Sequence, residues 1–268
     1  EPLILLINLK IKYKKKLGQN FLIDKNILKN IINLSTIKKS DYILEIGPGS
    51  GNLTTEILKK NPKKLVVVEK DKELISLLQN KFNEQIEILN FDILKINEKK
   101  IFDYKCKVFG NLPYNISTKI LSKWILNLED KPWFDEMYLM FQKEVAERIV
   151  SKTNKKSYGR LSILSQWRLD CKIMFNIKPS CFFPIPKVES TLLKFTPKQN
   201  YLKFRNTKNL EKITSIFFNQ RRKKIKNVVK HLLGDNILKH NINVDLNLRP
   251  QNLSPEFYYN IVKITETF

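Results

Sequence analysis

"YILEIGPGSGNLT", Tyr42 to Thr54, decides the fold. An apolar, β-rich run, Tyr42 to Ile46, is followed by Gly47, Gly49 and Gly51 and then by a helix-period segment, Leu53 to Lys60. Glycine has no Cβ, so the backbone can turn sharply between a strand and a helix and can approach a ligand closely. Further β-rich runs lie at Leu65–Val68, Ile86–Leu89, Lys107–Phe109, Met137–Phe141, Cys171–Ile177 and Thr191–Phe195. Between them, Lys72–Phe82, Thr118–Leu126, Lys143–Val150 and Arg160–Trp167 carry helical periodicity. Seven strands interleaved with helices in this way predict an α/β fold built on a doubly wound, mostly parallel Rossmann-like sheet. The last two runs have no clear helix between them, which predicts an antiparallel edge.

After "TPKQN" (Thr196 to Asn200) the strand signal stops. Leu210–Phe218 and Lys224–Leu233 read as helices, with Gly234 as a stop. The chain therefore divides into a sheet domain, 1–197, led by a basic segment, 1–24, and a small helical domain, 198–268. The helical part holds 14 Lys and Arg against 5 Asp and Glu.

The 268 residues are 42% hydrophobic, enough for a real core, and the net charge is +23. Abundant Lys, Asn and Ile suggest AT-rich coding, which makes Arg the more telling cation. An excess this large still attracts polyanions: nucleic acid is the leading partner, an anionic membrane the weaker one. The apolar stretch Leu3 to Leu9 is far short of the ~20 residues that cross a bilayer. It has a faint leader-like look, but no small-residue cleavage site follows. Cys106, Cys171 and Cys181 are odd in number and lack metal spacing, so buried thiols in a reducing compartment are expected. Two histidines, His231 and His240, are too few for a metal cluster or a triad. No metal is expected.

The glycine spacing is GxGxG, with Glu45 just before it, not the GxGxxG of dinucleotide sites, and it favours a different nucleoside ligand. Glu69 ends the second strand, where a carboxylate can accept both ribose hydroxyls. Asp92, after the third strand, can accept from an adenine amino group. For either acid alone, a solvated strand end or a helix cap serves as well. Three consecutive strands each delivering a polar group at one sheet edge are a stronger signal.

At this point the chain resembles the S-adenosylmethionine-dependent methyltransferases, and within them the bacterial-type ribosomal RNA small-subunit adenine-N6,N6-dimethyltransferase family. The resemblance covers nearly the whole chain. It rests on "KKKLGQNFLID" (Lys14 to Asp24), "LEIGPGSGNLT" (Leu44 to Thr54), "VEKD", "FD", "NLPYNIST" (Asn111 to Thr118), "YGRLS" (Tyr158 to Ser162), "FFPIPKVES" (Phe182 to Ser190), "FNQRRKKIKN" (Phe218 to Asn227) and "RPQNLSPEFY" (Arg249 to Tyr258). It implies that Asn20, Leu22, Gly47, Glu69, Asp92 and Asn111 contact S-adenosyl-L-methionine, with Gly49 and Gly51 in the same turn. Glu45 would neighbour the amino or sulfonium charge or serve as a structural acceptor in the turn.

"NLPY" has no acid, base or thiol, and taken alone it reads best as a strand-ending turn with a packed aromatic. By the family's logic it is the catalytic centre. An adenine N6 amine is a poor nucleophile until acceptors hold its N–H groups, and the Asn111 side-chain and Leu112 backbone carbonyls would be those acceptors. Pro113 biases Leu112 away from helical dihedrals. Tyr114 would give the extruded base a stacking face, worth about 1–3 kcal/mol. Phe182 is the candidate for the opposite face, with Phe183 the alternative.

The resemblance also makes three basic clusters into phosphate contacts: Lys14, Lys15 and Lys16; Lys155 and Lys156 in an exposed loop; and Arg221, Arg222, Lys223 and Lys224. The implied reaction is dimethylation of two adjacent adenosines in a hairpin near the 3' end of small-subunit (16S-type) rRNA, linked to subunit biogenesis. The implied setting is a monomer acting on an immature small subunit in the bacterial cytoplasm, or else in an organelle matrix or stroma. Two other readings stay open: a non-catalytic nucleic-acid-binding factor on the same fold, and a large-subunit rRNA methyltransferase conferring antibiotic resistance.

Overall fold

In the computed structural model, which describes residues 18–234 and 244–267, all seven expected runs join one sheet. Its strands are β2 (Tyr42–Ile46), β3 (Lys64–Glu69), β4 (Glu87–Asn90), β5 (Cys106–Asn111), β6 (Phe134–Gln142), β7 (Leu169–Ile177) and β9 (Ser190–Pro197), in the order β4-β3-β2-β5-β6-β9-β7. The pairs β2–β3, β3–β4, β2–β5 and β5–β6 are parallel, and β9 runs antiparallel to β6. From β2 the chain winds outward to β4, then returns to the other side of β2 with β5. That reversal is the topological switch point, where open α/β sheets bind ligands at their carboxyl ends.

Burial explains why these runs are strands. Residues 43–46 of β2 and 65–68 of β3 are consecutively buried, as in a parallel sheet covered on both faces. Helix α1 (Lys25–Ser35) starts where Asp24 accepts from the amides of Asn26 and Ile27, and it buries Leu28, Ile31, Ile32 and Ser35 along one stripe. Helices α2 (Asn52–Leu58), α3 (Lys72–Phe82) and α4 (Ser117–Leu126) follow β2, β3 and β5, and α5 (Lys143–Val150) follows β6. Asp71 caps α3 through the Glu73 amide. A second, two-stranded sheet pairs β1 (Phe21–Leu22) antiparallel with β8 (Phe182–Phe183).

The described residues fall into two compact units. The first takes the described residues up to Lys123 with Leu128–Ala146 and Lys172–Pro197. The second takes Trp124–Asn127, Glu147–Cys171 and the described residues from Lys198 onward. In the second, helices α6 (Arg160–Arg168), α7 (Lys208–Phe218), α8 (Lys226–Leu233) and α9 (Pro255–Thr265) pack around aromatic side chains. The Phe217 ring meets those of Phe257 and Tyr258 edge-on, and the Tyr258 and Tyr259 hydroxyls donate to the carbonyls of Pro250 (2.6 Å) and Ile163 (2.9 Å).

Cys106 and Cys181 are buried, whereas Cys171, expected to be buried, is only half-buried; all three are free thiols. Burial pushes the Cys171 thiol up to about 12. Among the described residues no helix is long and apolar enough to cross a membrane, and no group of three or more His, Cys, Asp or Glu is placed to hold a metal ion.

Candidate active site

The carboxyl ends of β2, β3, β4 and β5 surround a cavity of about 270 Å³ in the first unit. The turn after β2 forms its floor. Gly47, Gly49 and Gly51 have φ of +65°, +58° and +74°, a left-handed backbone that other residues adopt only with strain. The Gly47 amide donates to the Val68 carbonyl (3.0 Å), tying the turn to β3. A Cβ on Gly47 would meet only the Asn111 carbonyl, at 3.6 Å, so the cleft runs directly over this residue. A Cβ on Gly49 would lie 2.6 Å from the Phe21 ring, so a glycine here lets β1 close down on the turn.

Three carboxylates line this cavity, and among the described residues the only cation on its wall, Lys70, is already paired with one of them. Glu45 is 1% exposed; its Oε2 accepts from Thr54 Oγ1 (2.7 Å). Burial pushes its carboxyl up to about 7, opposed by the Thr54 hydrogen bond and by Lys81. Lys81 donates to the carbonyls of Ser50 (3.0 Å) and Gly51 (3.3 Å), so one ammonium both pins the glycine turn and faces Glu45. Glu69 Oε1 accepts from the amides of Lys70 (2.8 Å) and Asp71 (2.9 Å), which fixes the carboxylate before any ligand arrives; burial raises its pKa. Asp92 is held low by Lys70, whose Nζ lies 2.8 Å from Oδ2, while Oδ1 accepts from the Leu94 amide (3.0 Å).

Asn111 is the last residue of β5 and lines the same cavity. Its side-chain nitrogen donates to the Asn20 carbonyl, which leaves Oδ1 as the end of the amide that can accept. Leu112 is 1% exposed, its side chain packed where Gly110 leaves room: a Cβ there would be 2.9 Å from Leu112 Cδ2. The Pro113 carbonyl accepts from the amides of Ile116 (3.1 Å) and Ser117 (3.0 Å), and the Tyr114 carbonyl from Ser117 Oγ (3.2 Å). No turn or cap hydrogen bond among the described residues falls on the Leu112 carbonyl. Tyr114 also lines the cavity, with its hydroxyl 2.5 Å from Ser190 Oγ at the start of β9. Burial raises the Tyr114 pKa, so the phenol stays neutral.

Asn20 and Leu22 stand on the cavity wall, and the Leu22 carbonyl accepts from Asn52 Nδ2 (2.8 Å). Phe182 does not. It is 1% exposed, in the hydrophobic core beside Leu28, Ile31 and Ile177, because β8 pairs with β1 and turns this ring inward. The alternative, Phe183, packs against Phe21 and Leu74 and is not on the cavity wall either.

The basic clusters divide. Lys14, Lys15 and Lys16 lie outside the described residues. Lys155, Lys156, Arg222, Lys223 and Lys224 are exposed. Arg221 is not available in the same way: its guanidinium donates to the carbonyls of Lys156 and Tyr158 (3.0 Å) and to Gln251 Oε1 (3.3 Å), binding loop to helix within the second unit. Sequence reasoning passed over Ser190 and Lys81. Ser190 stands 76 residues from Tyr114 and carries no local signal of the contact; Lys81 reads as an ordinary last-turn helix cation.

A family model described as "Ribosomal RNA adenine dimethylase" matches residues 10–267. The chain is 57% identical over 254 residues to "Ribosomal RNA small subunit methyltransferase A" of Pelagibacter ubique (strain HTCC1062), covering 94% of this chain and 97% of that protein. It is 42% identical to the protein of the same name from Francisella tularensis subsp. novicida (strain U112), over 91% and 94%. Among solved structures, a dimethyladenosine transferase from Plasmodium falciparum superposes with a TM-score of 0.75 at 26% identity, over 91% of this chain and 96% of that one. The 23S rRNA methyltransferase ErmE shares the fold, with a TM-score of 0.67 at 20% identity, over 92% and 100%.

Proposed function

The chain belongs to the ribosomal RNA adenine dimethylase family, and from that premise we propose how its residues carry out S-adenosyl-L-methionine-dependent N6 dimethylation of adenosine in small-subunit (16S-type) rRNA. The observation that carries the reading is the sign of the cleft. In a chain of net charge +23, the described lining of the cavity gathers Glu45, Glu69 and Asp92 against one lysine that Asp92 already holds. Such a wall suits a ligand that is cationic and free of phosphate. When bound, S-adenosyl-L-methionine supplies a methyl group activated by a sulfonium.

The chain's own part is positioning. Glu69 holds the ribose hydroxyls, Asp92 the adenine, and the Gly47–Gly51 turn the methionine end, with Glu45 beneath it. Asn111 Oδ1 and the Leu112 carbonyl accept the two N–H groups of the target amine, which draws its lone pair away from the ring and toward the methyl group. Tyr114, fixed at its hydroxyl by Ser190, carries the base on its face. The released proton goes to solvent, so no histidine is required. Residues 198–268, with Arg222, Lys223 and Lys224, and the loop lysines Lys155 and Lys156 contact phosphates. We further assign the substrate as two adjacent adenosines in a hairpin near the 3' end of the RNA, within an immature small subunit. The enzyme acts as a monomer in the bacterial cytoplasm, a placement supported by its bacterial relatives.

The test is labelled-methyl incorporation into unmodified small-subunit RNA and pre-subunit particles, with mass spectrometry of the 3' region. Dimethyladenosine is expected, and its loss in Asn111→Ala and Tyr114→Ala. Binding without transfer to any RNA would sink the reading in favour of a non-catalytic factor, and transfer to large-subunit RNA alone would favour the resistance type.

A further inference from the structure

The opposite, amino end of the same strands carries a second feature that the reaction does not use. Tyr42, the first residue of β2, stacks on Tyr104 with ring centroids 5.2 Å apart and planes 18° from parallel, and the Phe102 ring braces Tyr42 edge-on at 5.4 Å. Tyr104 is 64% exposed, an aromatic face left open to solvent. Lys63 Nζ lies 5.1 Å from the Tyr42 centroid and 5.8 Å from that of Tyr104. The Lys63 amide donates to the Asp41 carbonyl (2.9 Å) and the Asp41 amide to the Lys38 carbonyl (3.1 Å), so both loops converge on the rings. Other cations nearby are neutralised: Lys64 by Glu87, Lys105 by Asp135 and Lys107 by Asp41. Lys38, Lys39 and Lys63 are exposed and form no ion pair among the described residues.

An open aromatic face with one ammonium over its rings and exposed lysines in the adjoining loop matches the chemistry of an unpaired nucleotide: a base to stack and flanking phosphates to neutralise. We propose that Tyr104, backed by Tyr42 and Lys63, is a second RNA-binding site. It takes an unpaired nucleotide of the rRNA at a point remote from the methylated adenine, about 17 Å away along a five-residue strand. The inference rests on the RNA-methyltransferase reading and extends its substrate footprint. It makes the shelf a device for recognising a large folded RNA, because a minimal target that fills only the cleft does not reach it.

The experiment compares methyl transfer to a minimal hairpin and to unmodified small subunits. Tyr104→Ala is expected to raise KM for subunits by about 5- to 150-fold, the range of one lost base stack, with kcat and hairpin kinetics unchanged. Tyr104→Phe restores the wild-type value and Tyr104→Leu does not. Lys63→Gln lowers the slope of log affinity against log salt by about 0.7, the single-strand value for one phosphate. In Tyr104→Trp, a single-stranded oligonucleotide quenches the new indole. Wild-type subunit kinetics in Tyr104→Ala, or rescue by Leu as complete as by Phe, overturns the shelf; the second outcome points to an apolar protein or membrane contact. Should the unmodified enzyme methylate no RNA, the functional reading fails. The indole quench then decides the shelf by itself.

Discussion

The two ends of one sheet hold opposite chemistry. At the carboxyl end of β2, β3 and β5 stand Glu45, Glu69 and Asn111; at their amino end stand Tyr42, Lys63 and the residues just before Cys106. The carboxyl end is concave and acidic, with Glu69 and Asp92 fixed by amides of their own loops and Glu45 by the Thr54 hydroxyl. The amino end is open, aromatic and cationic. A net charge of +23 therefore does not describe the cleft. The positive surplus lies outside the described lining of the cleft, which carries the opposite sign.

The comparison breaks most visibly at Asn111. Asn111→Ala removes one of the two proposed acceptors and is expected to lower methyl transfer by about 10²- to 10³-fold, by analogy with loss of one preorganised hydrogen-bonding group. Binding to subunits should persist, since the proposed phosphate contacts lie elsewhere; equal loss of binding and turnover would contradict the division. Next in size is Gly49→Ala. Its Cβ would collide with Phe21 at 2.6 Å from a left-handed backbone, so a loss of about 1–3 kcal/mol in unfolding free energy is expected. Calorimetry with and without cofactor reads it.

Glu45 sharpens the contrast through pH. Its carboxyl is raised to about 7 by burial, so the unliganded fold favours the protonated form. That stability is fully present below the ordinary carboxylate pKa and is lost as pH rises through 7. A cationic ligand favours the ionised form, so cofactor affinity should rise by about tenfold from pH 6 to pH 8 in titration calorimetry. Glu45→Gln should flatten both trends. The smallest effect separates neighbours in the second unit. Arg222→Ala should lower the salt slope of RNA binding by about 0.9 and leave melting unchanged. Arg221→Ala should instead destabilise that unit by about 1 kcal/mol, because its guanidinium is committed to Lys156, Tyr158 and Gln251.

Much of the first unit was legible because its signals are local. The period-2 and buried runs gave all seven strands of the main sheet, and GxGxG gave the turn with its three left-handed glycines. Two helices went unread, although their caps were present: Asp24 before Lys25–Ser35 and Ser254 with Pro255 before Pro255–Thr265. Lys- and Asn-rich solvent faces masked the apolar stripe of the first; the second was read as a motif and not as an element. What was not legible is tertiary. Phe182 next to a proline-rich turn reads as available, and only its pairing with Leu22 shows it to be core. Arg221 reads as a phosphate contact until the carbonyls around its guanidinium are seen. Ser190 is an anonymous strand residue until Tyr114 is placed beside it.

The hydrogen bond from Asn111 to the Asn20 carbonyl spans 91 residues of sequence. The orientation of the amide at the end of β5 is thus set by the far N-terminal side of the chain, which adds no strand to the main sheet. Without that carbonyl the amide could turn either end toward the cavity, so a segment outside the main sheet sets which atom of Asn111 faces the cleft.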